Sequence, residues 1–480
     1  MKKSNLILLV VLVIIGVVFY LDTERQERQQ EQEAQEKRLV DLPTEEIASV
    51  AIERPNSPTI RAVTDSEQWR LVSPVQAPGD QTAWDNIISN VAEGERERLV
   101  VENPESLEDF GLDSPQLTVT FGADTSGATP SRLVFGDETP ISGRYYAMIG
   151  GSSDVLTVRS FLYTTLDKEL YDLRDKSVLP FETGDAQKLE FQSPRLSFAA
   201  ERTEGDEWAL SEPIQGRADG QKIRSLLTSL SNAEVQQFIV DEPDMPEIYG
   251  LIDPATRVTV WTGDSADSSQ WAARGLVFGA TDGPSGNYFV QREGQENIFT
   301  VQKSILNNVP ASLSDLRKRA LASIRSWNVS AFTIHAADEL ILHASKDSGD
   351  WFIQAPEAGE ADYRNMSELV RSITSLEADD FLAEAPSGVD WENPAVSIQL
   401  KDAPDPESDE TLVTDQIDLA THTISSGTGT VEVYVGKREN PPEYFTLEQA
   451  TVDDILQTAR NFEPIPEEVA AEADVAASTE

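Results

Sequence analysis

Apolar residues recur along this chain at two spacings, and the same pair of spacings returns three times. The clearest landmarks are Trp69, Leu71 and Pro74; Trp208, Leu210 and Pro213; and Trp351, Ile353 and Pro356. Apolar positions two apart line one face of a strand, and proline ends it because it has no N–H for the ladder. Seventeen and nineteen residues before each tryptophan stand Ile52 and Val50, Phe191 and Leu189, and Ile334 and Phe332, which read as another strand face. Fifteen residues after each tryptophan the period changes. Trp84, Ile87, Ile88 and Val91, then Ile223, Leu226, Leu227 and Leu230, then Met366, Leu369, Val370 and Ile373 all follow i, i+3, i+4, i+7. That stripe is the buried face of an amphipathic helix. Three signals in one register, three times over, predict a tandem repeat.

Later features extend the match between the first two copies. Phe110, Gly111, Leu112 and Pro115 correspond to Tyr249, Gly250, Leu251 and Pro254, a turn in which glycine admits positive φ. Leu133 to Gly136 corresponds to Leu276 to Gly279, and Gly143 to Ala147 corresponds to Gly286 to Val290. Asp172, Leu173 and Arg174 match Asp315, Leu316 and Arg317 and close the copy, either as a docking pair or, better, by capping their own unit. The third copy has drifted. Val389, Asp390, Trp391 and Pro394 replace the Gly-Leu turn, an acidic loop with Asp402, Asp405, Glu407, Asp409 and Glu410 precedes Val433 to Gly436, and the Asp-Leu-Arg closure is missing.

Each copy therefore predicts strands, one covering helix, further strands and a short terminal helix such as residues 158–170. The fold class is α+β, with three tandem repeats, each a mainly antiparallel sheet covered by an amphipathic helix. The repeats are expected at 39–182, 183–324 and 325–463, with a disordered acidic tail at 464–480. The anchor tryptophans are expected in the cores.

The N-terminus adds a different element. Lys2 and Lys3 precede an uninterrupted apolar run from Leu6 to Leu21. Sixteen helical residues span about 24 Å against a hydrocarbon core of about 30 Å, a mismatch that lysine snorkelling and Tyr20 at the interface absorb. The run ends in Phe19, Tyr20, Leu21 and Asp22, without the small residues of a cleavage site. This predicts a transmembrane anchor at 6–21, a cytoplasmic stub at 1–5 and a polar helical stalk at 22–38. By the positive-inside rule the body then faces outward, in a bacterium the periplasmic side of the inner membrane.

Composition narrows the chemistry. The 480 residues carry 84 acidic and 38 basic side chains, a net charge of −46, which repels polyanions and excludes nucleic acid as a partner for the bulk surface. There is no cysteine, hence no disulfide, thiol nucleophile or thiolate metal site. His335 and His343 flank a turn with Asp338 and Glu339, but no third ligand stands at a recognised spacing. The acidic loop lacks the glycine punctuation of a calcium loop. No phosphate-cradling loop, G-x-S-x-G elbow or H-E-x-x-H helix occurs. The expectation is therefore no catalytic, metal-ligating or cofactor-binding residue.

The Trp69 to Pro74 and Phe110 to Pro115 motifs, the Leu133 to Gly136 strand, Tyr145 and Tyr146, and Asp172 to Lys176 resemble the DUF4340 family. So do Lys2 and Lys3 before the apolar run, and Leu42 and Pro43 at the start of the first copy. The resemblance covers copies one and two and reaches weakly into the third. It implies a bacterial, membrane-anchored auxiliary component of ABC transporters of the gliding-motility type, with transporter subunits as partners. It implies no catalytic residue. Two alternatives accompany the accessory reading: a periplasmic glycan- or peptide-binding module using Tyr145, Tyr146, Tyr288 and Phe289, and a hydrolase with an unrecognised carboxylate pair.

Overall fold

The computed structural model describes residues 38–466, apart from 41, 67, 124–129, 142, 204–205, 264–266, 403–413, 427–428 and 439–441. The expected anchor at 6–21, the stalk as far as residue 37, the tail from 467 and the acidic loop beyond Asp402 lie outside the described residues. Among the described residues no helix is long and apolar enough to cross a membrane.

The first copy forms β1 (Ile47–Glu53), β2 (Ile60–Asp65), β3 (Gln68–Ser73), β4 (Ala77–Pro78), β5 (Arg98–Val101), β6 (Leu117–Ala123), β7 (Ser131–Glu138), β8 (Arg144–Ile149) and β9 (Val155–Arg159). They join in one antiparallel sheet of order β4-β3-β2-β1-β6-β7-β8-β9-β5. Two further nine-stranded sheets repeat this order strand for strand, one beginning with Ala186–Gln192 and the other with Val329–Ala336. The drifted third copy thus keeps the full topology. Each sheet's first strand carries an irregularity at the same place, at Ile47/Ser49, Ala186/Lys188 and Val329/Ala331. The fold is α+β with β dominant.

In β1 the buried residues are Ile47, Val50 and Ile52, the alternation expected of a half-covered strand. The cover is the helix Gln81–Glu93, whose Trp84, Ile87 and Val91 share one core with Val50, Ile52, Trp69 and Leu71. Trp69 stacks on Trp84 with centroids 5.3 Å apart. Fully burying such side chains contributes about 1.5–3 kcal/mol each. The equivalent helices are Gly220–Ser231 and Tyr363–Thr374. All three begin on an aspartate, Asp80, Asp219 or Asp362, whose carboxylate accepts from first-turn N–H groups. Trp69, Trp208 and Trp351 are buried core residues, and the proline after each follows a cis peptide bond.

Three expectations need correction. Val158 and Arg159 complete β9, and the helix expected over 158–170 is Ser160–Leu166, followed by a separate turn of helix at Leu170–Leu173. Val158 is fully buried because it serves the sheet. At the other end the chain remains bonded past Pro464, where the Ile465 N–H donates to the Glu360 carbonyl at 2.8 Å. Residues 464–466 therefore do not belong to a free tail. The third correction concerns the Asp-Leu-Arg closure, which does not act as one pair, as described below.

The described residues gather into two compact units. One runs to Ser177 and includes Val235–Asp241; the other comprises Val178–Glu234 and everything from Glu242 onward.

Candidate functional site

Two of the repeated motifs meet in the first unit. The short turn Glu108–Phe110 ends on Gly111 at φ +65°, a conformation that a side chain disfavours. A Cβ added at Gly136 in β7 would overlap the Phe110 carbonyl oxygen, so the glycine of Leu133 to Gly136 exists to let the turn lie on the strand. This also explains the unbroken apolar run. Leu133 and Phe135 face the main core, while Val134 joins Leu112 and Val155 in a second cluster on the opposite face. The second copy repeats the device with Gly250 at φ +72° and Gly279 against the Tyr249 carbonyl. The third replaces it: Val389 and Trp391 cover Val433 and Val435, and Gly436 makes room for the Phe445 ring instead.

The closing motif divides its labour. Asp172 and Asp315 accept from the backbone N–H groups of Glu169 and Ser312 and complete capping boxes within their own copies. The arginines go elsewhere. Arg174, 5% exposed, stacks on Phe238 at 3.8 Å and forms an ion pair with Asp241, all in the first unit. Beside it the Tyr171 hydroxyl donates to the Val235 carbonyl at 2.8 Å, and the Val235 N–H donates to Lys176 at 2.8 Å. These bonds hold the strand Val235–Val240, with Asp241 after it, to the first copy.

Arg317, in the second unit, makes the corresponding stack on Phe381 at 3.8 Å. Its Nε and Nη2 donate to Glu443 Oε1 at 3.1 and 2.6 Å. Arg438 Nη1 lies 3.7 Å from the other carboxylate oxygen and donates to the carbonyl of Lys318, while Nη2 donates to those of Arg319 and Ala320. The Glu443 side chain is completely buried. Burial pulls the Arg438 guanidinium down to about 10, with Glu443 acting in the opposite direction, so it keeps its charge at neutral pH. A second arginine on one buried carboxylate offsets part of the desolvation penalty that each ion carries. Gly216 lies against this carboxylate, where a side chain would meet Glu443 Oε1 and Arg317 Nη2.

The remaining candidates are dispersed. His335 stands opposite Leu340, and His343 opposite Thr333 and Ala355. Among the described residues no three histidines and carboxylates gather as a metal site. The four aromatics proposed as ligand platforms are half-buried and occupied. Tyr145 stacks on Tyr163 at 4.1 Å, Tyr146 meets Phe110 edge-on, Tyr288 meets Phe278, and Phe289 meets Tyr249. Carboxylates with displaced pKa, Glu97, Asp267, Asp282 and Asp390, are all shifted down by hydrogen-bond donors, opposite to the direction a general acid needs. A groove of about 530 Å³ between the helices Tyr363–Thr374 and Gln449–Arg460 is rimmed by Asp362, Glu368, Asp454 and Glu463.

A family model described as a domain of unknown function (DUF4340) matches residues 69–251 and again 208–395. The chain belongs to the DUF4340 family. Each match opens on an anchor tryptophan and runs into the next copy, ending at or just past its Gly-Leu turn position. The DUF4340 matches therefore both contain the closing arginine and the phenylalanine on which it stacks, Arg174 with Phe238 and Arg317 with Phe381. The carboxylates differ, Asp241 falling inside the first match and Glu443 outside the second. No curated protein and no solved structure matches the chain.

Sequence reasoning did not find Phe238, Phe381, Asp241, Glu443 or Arg438. The two phenylalanines had a signal, since both stand thirty residues after an anchor tryptophan. The carboxylates had none, because they occupy unrelated positions in their copies.

Proposed function

We propose that this DUF4340 protein is a non-enzymatic, extracytoplasmic accessory subunit of a membrane complex of the ABC-type transport or export class, held to the inner membrane through residues 6–21. The observation that carries the reading is the apolar run from Leu6 to Leu21 behind Lys2 and Lys3, ahead of a strongly acidic repeat body. The site geometry supports a scaffold. The polar residues of the repeated closure are consumed in capping helices and tying strands, as Asp172, Arg174, Asp315 and Arg317 are. Tandem repeats present extended surfaces suited to partner proteins.

The test is a crosslinked pull-down of the full-length protein from native membranes, beside a form in which residues 1–38 are replaced by a cleavable signal peptide. Reproducible recovery of transporter subunits by the full-length protein, reduced in the replaced form, is the expected result. Recovery of no membrane protein by either form contradicts the reading.

A further inference from the structure

The Gly-Leu turn of the second copy differs from that of the first in one respect that packing does not explain. Met245, Ile248 and Ile252 are 55%, 62% and 68% exposed. The same turn positions in the first copy, five and two residues before the glycine and two after it, hold Ser106, Asp109 and Asp113. Both turns place a short 3-10 helix before a left-handed glycine, and both lay a buried leucine, Leu112 or Leu251, beneath it. The backbone therefore tolerates polar residues at all three sites. Met245 is the cap of the short helix Pro246–Tyr249, and the Ile248 N–H donates to its carbonyl at 3.4 Å, which holds the two residues on one turn. Clustered exposed apolar side chains mark interaction surfaces, whereas isolated ones do not.

The surroundings specify the occupant. Glu242, Asp244, Glu247 and Asp253 are exposed around the three apolar side chains, and no lysine or arginine lies between residues 242 and 255. An apolar turn whose flanking charges are all carboxylates complements a segment with an apolar stripe flanked by lysine or arginine. We infer that the Met245, Ile248 and Ile252 surface docks a cationic amphipathic segment of the membrane partner, an inference that rests on the accessory reading and names its contact. The first copy's turn, with Ser106, Asp109 and Asp113, offers charge without the apolar centre.

The test uses the full-length protein in a non-ionic detergent and a fluorescent helical peptide of leucine and lysine, about 18 residues or five turns long, with leucines at i, i+3, i+4 and i+7. The variant is M245S/I248D/I252D, which installs the residues the first copy already carries, and its near-UV circular dichroism reports retained packing. This variant gains two carboxylates, so attraction by bulk charge alone would strengthen peptide binding. The expected result is the reverse: a loss of roughly ten-fold or more in affinity, with a benzophenone side chain at position 248 crosslinking to the peptide and one at position 109 not doing so. Equal or tighter binding by the variant overturns the inference, and so does a wild-type protein that self-associates through these residues and ignores the peptide. Because the peptide replaces the partner, failure here removes this surface and leaves the pull-down to judge the accessory reading separately.

Discussion

Glu443 concentrates the energetics of the second unit on one side chain. It is buried, it accepts two bonds from Arg317, and Arg438 lies on its far side. Glu443→Gln keeps the volume but leaves two buried guanidinium groups facing a neutral amide. Removing one partner of such a cluster costs about 3–5 kcal/mol, to be read as a lower denaturation midpoint of the second unit. Replacing Arg317 and Glu443 together by methionine is expected to cost less than the sum of the single changes, since only Arg438 then loses its carboxylate and the Arg317–Glu443 loss is counted once. Gly136→Ala tests the turn in the first unit, because its methyl group would displace the Phe110 carbonyl; overpacking of this kind costs about 1–3 kcal/mol. Tyr434 supplies a pH marker. Burial first, then Asp453, raise its phenol to about 12. The stability it contributes is complete below the ordinary tyrosine value of about 10 and is lost as pH rises from there through 12. A phenolate absorbance titration is expected to show a late tyrosine that Tyr434→Phe removes. Glu97 works at the acid end. Hydrogen bonds from Arg159 and Arg144 hold its pKa below the usual value, so its contribution is present above about pH 4.3 and fades as pH falls through the lowered value.

At the scale of elements, the helix stripe decides stability by depth. Ile87 and Leu227 are buried against their sheets, and either one changed to alanine is expected to cost about 2–5 kcal/mol. Asn86→Ala, on the exposed side of the same helix, is expected to stay within about 0.5 kcal/mol in the same denaturation experiment. These elements were readable from the sequence because one face of each is apolar and the other is not. The strand Leu133 to Gly136 was readable as a strand, but its double burial was not, since the covering turn lies about twenty residues earlier. The terminal helix was misplaced because Val158 satisfies both a helical and a strand period, and only the pairing of β9 with β8 chooses between them. The aspartate eleven residues past each tryptophan, Asp80, Asp219 and Asp362, stood in plain sight as an N-cap before a helical stripe. The carboxylate partners of Arg174 and Arg317 were not legible, because Asp241 and Glu443 occupy unrelated positions in another copy and a repeat pattern describes only what recurs.

For the whole molecule, the three sheets share one topology while the ties between copies are individual. Arg174 uses an aspartate and Arg317 a glutamate with a second arginine, on a shared arginine-phenylalanine stack. Repetition thus supplies the fold, and local substitutions supply what distinguishes the copies, including the apolar turn of the second. The same division holds for function: the repeated residues serve the scaffold, and the proposal of an anchored accessory subunit rests on the N-terminal run and the acidic body. The most direct measurement exploits the absence of cysteine from the chain. Ser4→Cys and Ser153→Cys, the latter at an exposed turn, each provide a single thiol. With a membrane-impermeant maleimide applied to cells whose outer envelope has been permeabilised, Ser153→Cys is expected to label at once and Ser4→Cys only after lysis. Labelling of Ser4→Cys in unlysed cells, or protection of Ser153→Cys until lysis, would contradict an anchored, outward-facing body.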